Sequence, residues 1–347
     1  KLVNRKGEKI DDNTIEKIEL YLDGRLEELG ITTPDIPYAT GAALGEIVDY
    51  AAGRNRYIGY LISLSRHSFR QFRVGLDCAN GSSWMIAKNV FDALGARTYT
   101  INASPDGLNI NRQAGSTHIN ALVSHVKENH LDIGFAFDGD ADRCIAVDEK
   151  GQVVNGDHIL YSLAKELKKR GELVNNTVVT TVMSNLGLYR ALRDAGIRYE
   201  QTTVGDRYVY ENMQQTCNCI GGEQSGHIIL SKYATTGDGI LTAIKLMEAV
   251  IDAKLPLSKL AEPVQMLPQV TKNIRVSDKA AVRNDSAVQA SVEAVRERLG
   301  DTGRILLRES GTEPVVRVMV EAPTEEICEE LVNEVAAQIY ARGLAAL

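Results

Sequence analysis

Three aspartates stand two residues apart in Phe135-Ala-Phe-Asp138-Gly-Asp140-Ala-Asp142-Arg143. In an extended or looping chain, carboxylates at this spacing can point one way and converge on one point. Clustered carboxylates repel unless a cation neutralises them, and a hard divalent ion such as Mg2+ is the natural partner. Arg143 would lie beside that ion, ready to hold an anion such as a phosphate. Three other chemistries share the spacing. A calcium loop would put Glu149 at its twelfth position, but Arg143 occupies the sixth, where that turn needs Gly, and the flanks read as strands. An apolar strand ending in Asp-x-Asp also suits a phosphatase with an aspartate nucleophile. A solvated acidic hairpin needs no ligand.

Two further loops carry polar groups in useful order. In Gly221-Gly-Glu223-Gln-Ser225-Gly226-His227 the glycines allow close backbone approach to a ligand, and Glu223 and Ser225 lie on one side of an extended loop. A carboxylate beside a hydroxyl suits neighbouring sugar hydroxyls, and His227 can titrate near neutral pH or meet a phosphate. A Gly-rich hairpin with solvated side chains is the competing reading. Arg308-Glu-Ser310-Gly311-Thr312-Glu-Pro314 offers a guanidinium, two hydroxyls and a Gly apex, the makings of a phosphate nest, with Arg317 close behind. A polar hairpin turn is the alternative there. Gly205-Asp206-Arg207 is a weaker loop of similar flavour, equally compatible with an ion pair between the two neighbours.

These loops must sit on a scaffold. Helices are expected over residues 12–29, 44–64, 84–94, 117–129, 157–170, 186–194, 238–253, 280–299 and 324–342, from apolar residues at helical spacing and capping residues. Strands are expected over 73–78, 98–102, 131–137, 144–147, 177–183, 198–204, 303–307 and 315–321, with another beginning at Gln269. Strand, small polar turn, helix and strand occur twice, at Ala79-Asn-Gly-Ser and at Ser184-Asn185, which suggests two related α/β mixed-sheet domains followed by a small α+β C-terminal domain. Such turns place helix N-termini at strand ends, where α/β folds often bind anions; a plain tight turn is the other reading. Domain boundaries are expected near residues 37, 148 and 262, leaving 1–37 as a remnant and linker ahead of domains 38–148, 149–262 and 263–347.

The 347 residues suit several domains, with 44% hydrophobic and 24% charged residues, as in soluble globular proteins. A net charge of −7 argues against a general nucleic-acid binder, and no apolar run is long enough to span a bilayer. Five scattered cysteines, of which only Cys217 and Cys219 are close, fit a reducing cytoplasm.

The ordered set Asp138-Gly-Asp-Ala-Asp142-Arg, Gly222-Glu-Gln-Ser-Gly-His227 and Arg308-Glu-Ser-Gly-Thr-Glu-Pro314 resembles the α-D-phosphohexomutase family. Pro105-Asp-Gly-Leu-Asn-Ile-Asn111 with Gly115-Ser-Thr-His118 is similar to the branch acting on glucosamine phosphate, although Ala114 stands where many of that branch have Cys. The resemblance implies an isomerase interconverting glucosamine 6-phosphate and glucosamine 1-phosphate through a phosphoserine and glucosamine 1,6-bisphosphate, for amino-sugar nucleotide and cell-wall precursor synthesis. It implies Mg2+ on Asp138, Asp140 and Asp142, and Arg143 at the transferring phosphoryl group. Glu223 and Ser225 would hold sugar hydroxyls. His227 and Lys1 are the implied candidates for proton transfer or phosphate contact. Asp206 and Arg207 would add substrate contacts, and Arg308, Ser310, Gly311, Thr312 and Arg317 would hold the idle phosphate. The family's serine lies in a Ser-His-Asn-Pro loop that this sequence does not contain, and Lys1 matches the Lys that follows that loop, so the chain is expected to open just after it and to be inactive alone. Rival readings are a mutase for glucose or mannose phosphates, an aspartyl phosphatase, or a non-catalytic sugar-phosphate binder. Neither nucleic acid nor membrane is an expected partner; a homodimer is compatible with the sequence, which does not set the oligomeric state.

Overall fold

The structure, a computed structural model, describes residues 2–5, 7, 9–30, 39–46, 48–310 and 313–346. Near the start, α1 (Asp12–Leu22) is capped by Asp11, whose carboxylate accepts the Thr14 N–H at 2.9 Å. The helix expected to run to Leu29 stops at Leu22, because Gly24 takes the left-handed region (φ +69°) and only a short 3-10 turn follows. α2 (Ala51–Ser63) likewise begins later than expected, downstream of Gly41 and Gly45, residues that weaken a helix.

The first sheet then forms in the order β2-β1-β3-β4-β5. Its members are β1 (Arg73–Asp77), β2 (Arg97–Ile101), β3 (Ile133–Phe137), β4 (Cys144–Asp148) and β5 (Val153–Val154), with α3 (Ala87–Ala93) and α4 (Asn120–Glu128) in the connections. β1, β2 and β3 are parallel, while β4 and β5 pair antiparallel. The β3 and β4 strands are buried at every position, so their turn is held rigidly from both ends. α3 starts three residues after Trp84, because the chain before it runs through tighter three-residue turns, Trp84 N–H to Gly81 O at 3.3 Å and Ile86 N–H to Ser83 O at 3.0 Å.

The second unit repeats the plan: α5 (Gly156–Lys169), β6 (Thr177–Thr181), α6 (Leu186–Asp194), β7 (Arg198–Thr202), α7 (Asp206–Thr216), β8 (Ile220–Gly222), β9 (Ile228–Leu230), α8 (Gly239–Ala253) and α9 (Leu257–Ala261). Its sheet order is β7-β6-β8-β9, with β9 antiparallel to β8. α7 was not expected from the sequence. Its stretch is mostly polar, and only Val209 and Met213, one turn apart, are buried. α8 is buried from Gly239 to Val250 and packs on both α5 and the β3–β4 pair of the first sheet.

The third unit holds β10 (Gln269–Arg275), α10 (Lys279–Asn284), α11 (Ser286–Leu299), β11 (Arg304–Glu309), β12 (Val315–Glu321) and α12 (Glu325–Ala341). Its sheet is antiparallel, in the order β10-β12-β11. The single helix expected over 280–299 is two, because Asp285 is extended (ψ 121°) and caps α11 by accepting the Ala287 and Val288 N–H groups. One core runs through the first two units, from Leu61 to Val264, and the third has its own around Val292, Val318 and Val335. No helix among the described residues is long and apolar enough to cross a membrane.

Candidate active site

The turn between β3 and β4 brings Asp138, Asp140 and Asp142 together, with one oxygen of each within 4.8 Å of the others. Asp138 Oδ1 accepts the Arg143 N–H at 3.1 Å, which closes the turn. Burial pushes the Asp138 carboxyl above its usual range, and the neighbouring Asp140 charge adds to this against the Arg143 N–H. A cation at the cluster would reverse both effects. Three hard oxygen donors on a rigid turn fit Mg2+, which takes carboxylates together with oxygens of water or phosphate. The Arg143 guanidinium stands beside the cluster, its Nε 3.9 Å from Asp138 and 4.0 Å from Asp142.

The loop that includes 105–116 buttresses this turn, a role the sequence reading did not assign. A Cβ on Gly139 would fall 2.7 Å from Ile110, and one on Gly115 would fall 2.3 Å from Phe137 O. Ser116 N–H donates to Phe137 O at 2.9 Å. The residues that carried the family resemblance in this loop therefore shape the backbone beneath the carboxylates.

Glu223 to His227 form the tight turn between β8 and β9, closed by Gly226 N–H to Glu223 O at 3.0 Å. Gly226 has φ +91°, and a Cβ there would lie 2.3 Å from Cys144 O, so only Gly fits. Cys144 N–H donates to Gly226 O at 3.0 Å, and Gly239 N–H donates to Ala141 O at 2.9 Å. The first bond pins the second unit's turn to the end of the acidic turn, and the second pins the start of α8 to its middle. Glu223 is half-buried, its Oε1 accepting the Gly205 N–H at 3.0 Å, while Ser225 is exposed.

His227 is buried. Its Nδ1 lies 3.3 Å from Asp142 Oδ2 and its Nε2 lies 3.1 Å from Asp206 Oδ2, with Gly237 N–H at 3.0 Å from Nε2. It thus links the acidic turn to the first residue of α7. Asp206 pairs with Lys9 and His227, and Arg207 Nε meets Glu211 at 2.7 Å. Burial would raise the Asp206 carboxyl, but Lys9 and His227 outweigh it and hold it below the usual range.

In the third unit Arg308 on β11 stands directly across from Arg317 on β12. Arg317 donates to Glu313 at 2.8 Å; Arg308 makes no ion pair among the described residues, and burial plus the Arg317 charge push its guanidinium below its ordinary value. Ser310 is buried, its Oγ accepting the Glu313 N–H at 3.3 Å and its carbonyl accepting Lys279 Nζ at 2.8 Å. Lys1, Gly311 and Thr312 lie outside the described residues.

Known proteins resemble this chain along most of its length. Residues 55–151, 155–267 and 272–338 match the phosphoglucomutase/phosphomannomutase models for alpha/beta/alpha domain II, alpha/beta/alpha domain III and the C-terminal domain. The chain is 60% identical over 345 residues to a phosphoglucosamine mutase of Lachnospira eligens, covering 99% of itself and 75% of that relative. It is 47% identical over 329 residues to the phosphoglucosamine mutase of Bacillus subtilis (strain 168), covering 95% and 72%. Among solved structures, a phosphoglucomutase/phosphomannomutase family protein from Burkholderia thailandensis superposes with TM-score 0.73 at 21% identity, over 97% of this chain and 72% of that one. The Aspergillus fumigatus N-acetylphosphoglucosamine mutase, in complex with GlcNAc-6P and magnesium, gives TM-score 0.70 at 18% identity over 84% and 65%. The structures show a shared fold and the sequence relatives show descent: this chain belongs to the phosphoglucomutase/phosphomannomutase family, the α-D-phosphohexomutases.

Proposed function

We propose that the chain supplies the metal, sugar and phosphate sites of a phosphoglucosamine mutase, an isomerase moving a phosphoryl group between O6 and O1 of glucosamine. The observation that carries this reading is the pinning of the Glu223–His227 turn to the acidic turn through Cys144 and Gly226. That contact fixes sugar-binding groups beside a carboxylate cluster. In support, solved relatives of the same fold hold GlcNAc-6P with magnesium, and glucose 1,6-bisphosphate.

Asp138, Asp140 and Asp142 would hold Mg2+, which when bound supplies positive charge where phosphoryl oxygens gather. Arg143 steadies the transferring group with a guanidinium fork. Glu223 and Ser225 hold neighbouring hydroxyls, and a sugar turned end for end presents a similar pair. His227, already between Asp142 and Asp206, and Lys1 are the proton-handling candidates, with Asp206 and Arg207 close to the same site. Arg308 and Arg317, with Ser310, Gly311 and Thr312, hold the phosphate that is not reacting. A hexosamine 1,6-bisphosphate bridges the two half-reactions. An aspartyl phosphatase would have no use for the Glu223 turn or the arginine pair.

Glucosamine 6-phosphate and glucosamine 1-phosphate should therefore compete for one site, with dissociation constants within about tenfold of each other. Calorimetric titration of the chain in millimolar Mg2+ measures both. Binding of one isomer with none of the other would sink the proposal. These 347 residues contain no Ser-His-Asn-Pro sequence; the turnover assay belongs to a protein that also carries that loop, and the binding assay to the chain itself.

A further inference from the structure

The N-terminus of α6 faces a carboxylate from the third unit. Glu321, the last residue of β12, is fully buried, and its Oε2 accepts the N–H of Leu186, the first residue of α6, at 2.9 Å. Arg304, its cross-strand neighbour, grips the same carboxylate as a fork, Nε to Oε2 at 2.8 Å and Nη2 to Oε1 at 2.8 Å. Arg304 Nη2 also donates to Ser184 O at 2.5 Å, and the guanidinium lies over the Tyr189 ring, 5.6 Å from its centre. The segment between α9 and β10 is strapped to the same turn. Asn185 accepts the Leu267 N–H and donates to the Leu267 carbonyl, both at 3.0 Å, while a Cβ on Gly187 would fall 2.0 Å from Gln265 O.

A helix N-terminus at the end of a parallel strand is a ready anion site. Here the anion is internal and comes from another unit. The equivalent turn of the first unit is filled from within its own sheet, where Asp77 accepts the Ala79 and Gly115 N–H groups at 3.0 Å. The two related turns have thus been put to different uses. A buried carboxylate with a forked guanidinium and a helix N–H is costly to break from one side, because the remaining charge stays buried.

We infer that Glu321 is a positioning residue: by occupying the α6 N-terminus it seats the third unit on the second and sets where the Arg308 turn stands relative to Glu223 and Ser225. What is positioned rests on the function proposed above; the seat itself does not.

The test uses the full chain with nitroxide labels at Lys232→Cys and Glu329→Cys in a Cys217→Ser, Cys219→Ser background, which leaves only buried native cysteines, and measures the distance distribution by pulsed electron resonance. Glu321→Gln weakens the seat from one side. Leu186→Pro removes the donated N–H, at the first helical position, where Pro is tolerated, together with the half-buried leucine side chain, whose loss alone is read from Leu186→Ala, expected to stay as narrow as the parent. Asn185 before it is already extended (φ −65°, ψ 146°), as a residue before Pro requires. The distribution should be narrow in the parent and broad in both Glu321→Gln and Leu186→Pro. If Glu321→Gln does not fold, Leu186→Pro decides alone. A variant that spends about a tenth of its time correctly seated should bind glucosamine 6-phosphate about tenfold more weakly, with inorganic phosphate unaffected. Distributions as narrow as the parent's in those two variants overturn the seat. Broad distributions with unchanged glucosamine 6-phosphate affinity overturn the positioning. If the parent binds no sugar phosphate, the function proposed above fails and the distances still decide the seat.

Discussion

Arg308→Ala should weaken sugar-phosphate binding by about 2–4 kcal/mol, the cost of losing a charged, hydrogen-bonded partner. The reason is local. Arg308 faces Arg317 across the β11–β12 ladder and has no carboxylate partner among the described residues. Like charges held opposite each other are unfavourable unless an anion joins them. Binding of unphosphorylated glucosamine should barely change, so titrating glucosamine 6-phosphate and glucosamine against both proteins isolates the phosphate contribution. Equal weakening of the two ligands would show that the turn shapes its unit rather than reads phosphate. Arg308→Lys should recover only part of the loss, because an ammonium cannot form the two-pronged contact.

Asp157→Asn should stabilise the protein increasingly as pH rises from about 4 to 7, by a few kcal/mol and at most about 4. Asp157 is fully buried at the start of α5, where burial pushes its carboxyl up to about 7, and Glu321 adds to this against the Asn185 N–H and Arg304. With the folded value above the unfolded one, the folded protein holds a proton that the unfolded chain has released, so the parent loses stability as pH climbs through this window. Asn keeps the acceptor for the Asn185 N–H, 2.7 Å away, without the charge. The neighbouring His158 works in the opposite direction. Burial lowers it to about 4, so its contribution is complete above its unfolded value of 6.5 and is lost as pH falls towards 4. The parent's profile between pH 4 and 6.5 therefore contains two opposed slopes, and the substitution exposes the histidine's. Urea titrations of both proteins across the range measure the difference; a difference that does not vary with pH would mean that Asp157 stays ionised throughout.

The acidic turn was legible because three like charges between two apolar strands leave few physical solutions. The Arg308 stretch stands out in the sequence for a similar reason, since charge and short donors are concentrated in a few residues. α7 was missed because its buried face is only Val209 and Met213 amid polar neighbours, and Gly205-Asp206 read as a loop when Asp206 opens a helix. The split at Asp285 was missed because α10 and α11 share one periodicity, and a capping aspartate inside a helical pattern is easily read as an exposed polar position. The partners of His227 could not be read at all. Asp142 and Asp206 reach it from separate elements, and only tertiary packing brings them within 3.3 Å and 3.1 Å. Glu321 was hidden in the same way, as the final residue of an otherwise ordinary strand.

The continuity of the core across the first two sheets has a thermodynamic consequence. α8 belongs to the second unit by sequence but buries its apolar residues against β3 and β4 of the first. Neither sheet can lose its packing without stripping a face from the other. Three sequence domains thus amount to two cooperative blocks. Scanning calorimetry should resolve a large transition for residues up to about Val264 and a smaller one for the separate core that follows. A mutation in either of the first two sheets is then felt by both, whereas one in the third core reaches the second unit chiefly through the Glu321 and Arg304 contacts at the α6 turn.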